Sequence, residues 1–206
     1  MRTGILGGTF DPIHIAHLHA GETALHQAEL DRVLFMPAGD PWQKADRDLS
    51  TAATRLEMTR LAVDGVEGFE VDDREITRNG ATYTADTLAS FPDDEELFLI
   101  LGADSAARIQ TWDRHGQVQQ RATILVVPRP GTDSMTVADV IPDAVFIDMA
   151  VLEVSSTEVR NLTRDSQPCR YLVTESVHRF ITDNHLYPDR RETPRVDDST
   201  DMEEKS

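Results

Sequence analysis

The chain has 206 residues, a formal net charge of −17 at pH 7, 39% hydrophobic residues and one cysteine. This length favours one domain with a sizeable core over two domains. The negative charge argues against DNA or RNA binding, the apolar segments are too short for a membrane span, and a single cysteine excludes an intrachain disulfide and a cysteine-based zinc site.

The first residues run directly into a predicted strand, without the apolar region and cleavage site of a signal peptide. We therefore expect a cytoplasmic protein. We expect Cys169 to be a packing residue. The sequence leaves the oligomeric state open, a homo-oligomer included.

Apolar runs and amphipathic segments alternate along the chain. Strands are predicted at residues 2–6, 32–37, 69–76 (one or two short strands), 96–102, 123–128 and 144–147. Helices are predicted at residues 16–28, 51–63, 84–90, 155–162 and 170–184. This order predicts an α/β, Rossmann-like, doubly wound and mostly parallel sheet in a single domain with a helical C-terminal part. We expect the domain to span residues 1–188, with a disordered acidic tail at 189–206.

The first predicted strand leads into the sequence GGTFDPIHIAH at residues 7–17. Gly7 and Gly8 permit a sharp turn with amides facing an anion, and the following helix adds positive charge at its start. His14 and His17 are three residues apart, so both rings are expected on one side, toward the same phosphate. Each feature alone is more often structural. The run matches neither a P-loop nor the dinucleotide-binding glycine pattern.

A second run, SSTEVR at residues 155–160, places hydroxyls at a helix start and Arg160 one turn later. Taken alone, it is more often a simple helix cap. Together with the first run, it predicts that Ser155, Ser156 and Arg160 face the same phosphate group. Lys44 and Lys205 are the only lysines, which draws attention to Lys44 as a cation for phosphorylated substrates.

The first run resembles the G-x-F-D-P-x-H-x-G-H signature of a nucleotidyltransferase superfamily, and 155–160 resembles its S-S-T-x-I/V-R element. Ala16 stands where that signature has glycine. Three further stretches, residues 37–44, 80–88 and 101–104 followed by Trp112, resemble bacterial nicotinate-nucleotide adenylyltransferases. The resemblance covers roughly residues 3–187. In the loop at 37–44, Trp42 and Gln43 replace the usual Pro-His.

The resemblance implies transfer of AMP from ATP to nicotinate mononucleotide, giving deamido-NAD and pyrophosphate in NAD biosynthesis. The implied partners are these two small molecules, without nucleic acid or membrane. It implies a Mg²⁺ ion held mainly by the ATP phosphates, with no protein metal site. Asp11 is expected to orient the turn or a metal-bound water.

The resemblance also assigns the site residues. The implied catalytic residues, which hold phosphates and offset charge, are His14, His17, Lys44 and Arg160. The implied ATP-binding residues are Gly7, Gly8, Thr9, Phe10, His14, His17, Gly102, Asp104, Ser155, Ser156 and Arg160. The implied substrate-binding residues are Lys44, Thr82, Tyr83, Thr84 and Trp112, with backbone amides for the nicotinate carboxylate and Trp112 for its ring.

Structural roles compete with these assignments, since Trp112 could be a core aromatic and Asp104 a helix N-cap. Two functional alternatives also remain. Phosphopantetheine adenylyltransferase has the first motif and the serine-arginine helix, but is usually shorter and lacks the 82–88 stretch. A nucleotide-binding regulator without turnover would keep the same phosphate ligands.

Overall fold

The computed structural model describes residues 1–39, 49–78, 80 and 82–189. Within them, six strands form one sheet in the order β3-β2-β1-β4-β5-β6, and each adjacent pair is parallel. The strands are β1 (Arg2–Gly8), β2 (Arg32–Pro37), β3 (Phe69–Val71), β4 (Glu96–Gly102), β5 (Ala122–Val127) and β6 (Val145–Phe146). Because β1 pairs with both β2 and β4, the strand order reverses there. A ligand crevice is expected beyond the carboxyl ends of β1 and β4, where the order reverses.

Helices connect the strands on both faces of the sheet. They are α1 (Ile15–Gln27), α2 (Ala52–Val63), α3 (Arg74–Thr77), α4 (Thr84–Ala89), α5 (Ala103–Ala106), α6 (His115–Arg121), α7 (Ser134–Val140), α8 (Ser156–Arg164) and α9 (Glu175–Asp183). Short 3-10 helices occur at Ile109–Thr111 and Arg170–Leu172. No helix of the described ranges is both long and apolar enough to cross a membrane.

The core consists of two buried clusters, one on each face of the sheet. Val33 and Phe35 of β2 pack with α1, α2 and α9, whereas Leu34 and Met36 pack with α4, α6 and α7. Successive strand side chains point to opposite faces, so a strand covered on both sides needs a continuous apolar run. This explains the apolar runs in β2 and β4. The predicted α/β, Rossmann-like, doubly wound fold is confirmed.

Two predicted elements are wrong in part. The strand predicted at 69–76 ends at Val71, because the Asp72 carboxylate accepts hydrogen bonds from the backbone and side-chain nitrogens of Arg74, and α3 follows. The single helix predicted at 170–184 is divided. Thr174 begins α9 as its N-cap, and its Oγ1 accepts from the Val177 amide at 3.3 Å.

Besides α3, the three short helices α5, α6 and α7 have no counterpart in the sequence-based prediction. α7 did carry a signal, because the Asp133 side chain accepts a hydrogen bond from the Met135 amide as a helix cap. The start of α6 carries no such sequence signal, because its N-cap residue is Arg114, which has a φ of +50° and makes no side-chain cap.

Cys169 lies in the core cluster that α8 and α9 share. This thiol is buried, and its Sγ lies 3.5 Å from Thr163 Oγ1. Its predicted role as a packing residue is therefore confirmed. The domain boundary at 188 stays a prediction, and residues 190–206 of the predicted tail lie outside the described ranges.

Candidate active site

The loop after β1 forms one wall of the crevice. Phe10 has a φ of +49°, and its buried ring lies beneath the turn. A methyl group at Gly8 would lie 2.6 Å from the Phe10 ring, so this close approach requires glycine. A methyl group at Gly7 would meet no described atom within 4 Å. Space for a ligand therefore lies beside Gly7, at the end of β1.

His14 and His17 meet at the start of α1. His14 is the N-cap and is 2% exposed, and the two rings stack with centroids 3.7 Å apart. The His14 amide donates to His17 Nδ1 at 3.3 Å, which assigns the proton of a neutral His17 to Nε2. Phe10 packs against His17 edge-on, with centroids 5.0 Å apart. The structure thus brings together the two imidazoles that the spacing predicts to share one side.

His14 is a neutral imidazole at physiological pH. Burial lowers the pKa of His14 to about 4, and the Arg129 guanidinium contributes in the same direction. Its Nδ1 is buried without a hydrogen-bond partner among the described residues. At neutral pH His14 is therefore an uncharged hydrogen-bonding group.

This lowered pKa predicts acid sensitivity. An unfolded chain binds a proton at His14 near the ordinary pKa of 6.5, whereas the folded protein binds it only near 4. Between these values the unfolded state holds more protons, so the stabilisation is complete above pH 6.5 and declines as the pH falls toward 4. We expect His14 to account for a loss of about 3 kcal/mol over that window.

The measurement is urea unfolding of the wild type and of His14→Gln at several pH values between 4 and 7. The wild type should lose more stability than the variant across this range. Parallel curves for the two proteins would contradict the assigned neutral state of His14.

Asp11 holds the loop together. Its Oδ1 accepts from the Tyr187 hydroxyl at 2.7 Å and its Oδ2 from the Ser50 amide at 3.2 Å, with Asp11 fully buried. Burial, together with the Asp11 carboxylate, raises the pKa of Tyr187 above its ordinary value. Of the two expected roles, orienting the turn is the one that these contacts support.

α8 packs its first turn directly on this loop. Ser155 Oγ caps the helix by accepting from the Glu158 amide at 3.1 Å, and Ser156 Oγ donates to the Pro12 carbonyl at 2.9 Å. Arg160 Nη1 donates to the Asp11 carbonyl at 2.7 Å. The Nε of Arg160 is buried and has no hydrogen-bond partner in the described part of the chain. The two serine hydroxyls are thus engaged within the protein, and Arg160 Nε is a buried donor that no described group satisfies.

The loops after β4 and β5 form the opposite wall. Gly102 is the N-cap of α5, so the alternative of an N-cap role for Asp104 is wrong. Asp104 lies in the first turn and is about half exposed, with its Oδ1 4.0 Å from Arg129 Nε. A methyl group at Gly102 would lie 2.7 Å from the Asp104 carboxylate and 3.0 Å from Arg129 Nε. Gly102, Asp104 and Arg129 are therefore close neighbours at this wall.

A cavity of about 470 Å³ lies beside this wall, between the ends of β5 and β6 and helices α5 and α7. Its lining includes Ala103, Pro128, Met135, Phe146 and Met149. It is therefore large and apolar enough for an aromatic ring system.

The segment predicted to bind the second substrate lies at the start of α4. Thr82 Oγ1 is buried and without a hydrogen-bond partner within the described ranges, Tyr83 is the N-cap, and Thr84 is the first helical residue. Trp112 is partly buried against the core cluster that contains α4 and α6. Trp112 therefore packs against the core, which is the structural role that competes with ring stacking. Lys44 lies outside the described residues.

Comparison with known proteins agrees with this arrangement. Residues 5–162 match the family model described as cytidylyltransferase-like. A Geobacter protein is 39% identical over 93% of this chain and 100% of its own length, and a Frankia casuarinae protein is 42% identical over 88% and 98%. Both carry the name "Probable nicotinate-nucleotide adenylyltransferase". The chain belongs to the nicotinate-nucleotide adenylyltransferase family.

Solved structures support the fold of this adenylyltransferase family member. A Plasmodium falciparum nicotinic acid mononucleotide adenylyltransferase complexed with NaAD aligns with a TM-score of 0.78 at 18% identity, covering 90% of this chain and 97% of that one. A putative nicotinate-nucleotide adenylyltransferase from Vibrio parahaemolyticus aligns with a TM-score of 0.67.

The adenylyltransferase contains a buried arginine at the crevice that the sequence analysis missed. Arg55 of α2 is 2% exposed and donates to the carbonyls of Thr9 at 2.7 Å, Gly39 at 2.8 Å and Ser50 at 3.3 Å. It thereby ties the loop after β1 to the end of β2 and to the start of α2. The sequence alone carries no signal for Arg55, because arginine is usually exposed and its three carbonyl partners lie in other segments of the chain.

Gly39 marks the same junction in the adenylyltransferase. A methyl group there would lie 2.1 Å from the Glu75 carbonyl oxygen, so only glycine fits. Arg129 is the other missed residue. It follows β5, and the sequence analysis singled out no residue in that loop.

Proposed function

We propose that this protein transfers AMP from ATP to nicotinate mononucleotide, giving deamido-NAD and pyrophosphate. The observation that carries the proposal is the convergence of His14, His17 and Arg160 on one loop at the strand-order reversal. Relatives named for this reaction, about 40% identical over nine-tenths of the chain, support the same assignment.

The ATP phosphates lie against the start of α1. Gly7, Gly8, Thr9 and Phe10 form the turn, and the open space beside Gly7 accepts a phosphate near the positive end of the helix. The Arg160 guanidinium, anchored on the Asp11 carbonyl, supplies positive charge from the other side. The Asp104 carboxylate accepts hydrogen bonds from the ribose, and the apolar cavity beside Ala103 accepts the adenine ring.

Nicotinate mononucleotide occupies the side of the crevice formed by α4 and the Trp112 segment. Its ring stacks on Trp112, and amides of Thr82, Tyr83 and Thr84 receive its carboxylate. Amide donors suit a carboxylate better than a neutral carboxamide, which gives the acid form its advantage. In this proposal Lys44 binds a substrate phosphate.

The mononucleotide phosphate attacks the α-phosphorus of ATP in line, and the bond from that phosphorus to the pyrophosphate oxygen breaks. The nucleophile is already ionised at neutral pH, so the protein needs no general base. Its contribution is positioning and stabilisation of charge on the departing pyrophosphate by His14, His17, Lys44 and Arg160. Neutral His14 acts here as a hydrogen-bonding group.

Enzymes of this class generally use a divalent metal ion, and we propose Mg²⁺ bound to the ATP phosphates as part of the substrate. Both Asp11 carboxylate oxygens already accept hydrogen bonds, so Asp11 does not offer an open ligand set. The described residues contain no cluster of three histidine, cysteine or acidic side chains arranged for a metal. Such a substrate-borne ion neutralises phosphate charge. We further propose that the enzyme acts in the cytoplasm.

The test follows a label on the adenine of MgATP in the presence of nicotinate mononucleotide. The label should appear in deamido-NAD and not on the protein, because no covalent intermediate is needed. ATP binding without any labelled product would overturn the proposal and favour a non-catalytic regulator.

A further inference from the structure

An ion pair joins the two segments that face the proposed nicotinate pocket. Arg114 Nη1 donates to Asp86 Oδ1 at 2.6 Å and Nη2 donates to Oδ2 at 2.8 Å. This two-pronged geometry fixes the planes of both groups relative to each other. The hydrogen bonds from Arg114 hold the pKa of Asp86 below its ordinary value, so the carboxylate is ionised at neutral pH.

Each partner of this pair is close in sequence to a residue of the proposed pocket. Asp86 lies in the first turn of α4, three residues after Tyr83. Arg114 lies two residues after Trp112, as the N-cap of α6, and its guanidinium carbon is 5.8 Å from the centre of the Tyr83 ring. The pair therefore connects the Trp112 segment to the Tyr83 segment.

The backbone and side chain of Arg114 are both constrained. Its φ of +50° is uncommon for a residue with a side chain, and its Nε donates to Asp113 Oδ2 at 2.6 Å. The Trp112 carbonyl accepts from the His115 amide at 3.3 Å, closing a tight turn around Arg114. The guanidinium is thus held in place by this turn and by two carboxylates.

We propose that Arg114 and Asp86 are positioning residues that hold Trp112 and the Tyr83 segment at the separation that an aromatic acid mononucleotide requires. This inference rests on the proposed function. The pair does not touch the reacting phosphates, and it acts through the two segments that bind the ring and its carboxylate. It therefore sets affinity for the acceptor and leaves the ATP side of the crevice unchanged.

Because both side chains of the pair are partly exposed, a positioning role can be distinguished from a purely structural role by experiment. The side chains are 38% and 43% exposed, and ion pairs exposed to this degree contribute little to global stability. Loss of the pair should therefore leave thermal unfolding nearly unchanged. A positioning role instead appears as a change in the KM for one substrate.

The test compares steady-state kinetics of the wild type, Asp86→Asn and Arg114→Gln. Each variant should raise the KM for nicotinate mononucleotide roughly fivefold, with kcat and the KM for ATP within about twofold of the wild type. The swapped protein, Asp86→Arg with Arg114→Asp, should recover most of the loss. Aspartate is among the residues that tolerate the left-handed conformation at position 114.

Glu175→Gln is the matched control. Glu175 is the first residue of α9, and its carboxylate pairs with the exposed guanidinium of Arg170 at 2.8 Å. It should leave both KM values unchanged. An unchanged KM for the mononucleotide in the two single variants, or equal losses for both substrates, would overturn the positioning role. If the wild type itself forms no deamido-NAD, the proposed function fails and this inference falls with it.

Discussion

Replacing His17 with alanine should lower kcat by roughly a hundredfold to a thousandfold, with only a small change in the KM for either substrate. His17 is held by stacking on His14 and by the hydrogen bond from the His14 amide to its Nδ1. Its Nε2 proton can then be directed at charge that develops on the pyrophosphate. Such an interaction is strongest in the transition state, so its loss appears in kcat.

His26→Ala is the matched control on the same helix, since His26 is exposed in the last turn of α1. It should retain wild-type kinetics. Steady-state assays in which His17→Ala keeps its kcat would remove His17 from the mechanism.

Replacing Arg160 with alanine should lower kcat/KM for ATP by a factor on the order of a hundred to a thousand. The guanidinium is anchored by its bond to the Asp11 carbonyl, and its buried Nε has no hydrogen-bond partner in the described ranges. Arg160→Lys should not restore activity, because an ammonium group cannot bond to the carbonyl and to a phosphate with the same planar geometry. Both effects are measured as pyrophosphate release at varied MgATP.

Arg179→Ala controls for loss of an arginine, since Arg179 is 72% exposed on α9. It should behave as the wild type does. Thermal unfolding of Arg160→Ala checks that the fold persists, because a lost hydrogen bond to Asp11 should cost about 1–2 kcal/mol. A folded Arg160→Ala protein with unchanged kcat/KM for ATP would contradict the phosphate-binding role.

The sheet was largely predictable from the sequence. β2 and β4 are continuous apolar runs because helices cover both faces, and a glycine or proline ends or follows several strands. The division of the 170–184 segment was less visible, since apolar residues continue across the Thr174 cap. α6 begins at a left-handed arginine, for which residue type gives no signal.

The motifs also predicted that the loop after β1 and the start of α8 face the same phosphate group. Gly8, His14, His17 and Arg160 carry recognisable spacing, and the structure brings their segments together. Arg55 and Arg129 could not be found in this way, because their contacts join residues distant in sequence. The neutral state of His14 was equally hidden, since it depends on burial and on the charge of Arg129.

The assignment of individual site residues remains a proposal even though the family prediction is confirmed. Lys44 lies outside the described residues, and Trp112 makes core contacts that fit a structural role as well as a stacking role. Ser155 and Ser156 bond to the protein through their hydroxyls. In the proposed site, this side of α8 binds a phosphate through backbone amides or through Arg160.

The most direct measurement is pyrophosphate release by the purified protein with MgATP, offered nicotinate mononucleotide, nicotinamide mononucleotide and phosphopantetheine in parallel. We predict rapid release with the acid mononucleotide and much slower release with the other two acceptors. Turnover of phosphopantetheine in preference to nicotinate mononucleotide, or no release with any acceptor while ATP still binds, would contradict the proposed reaction.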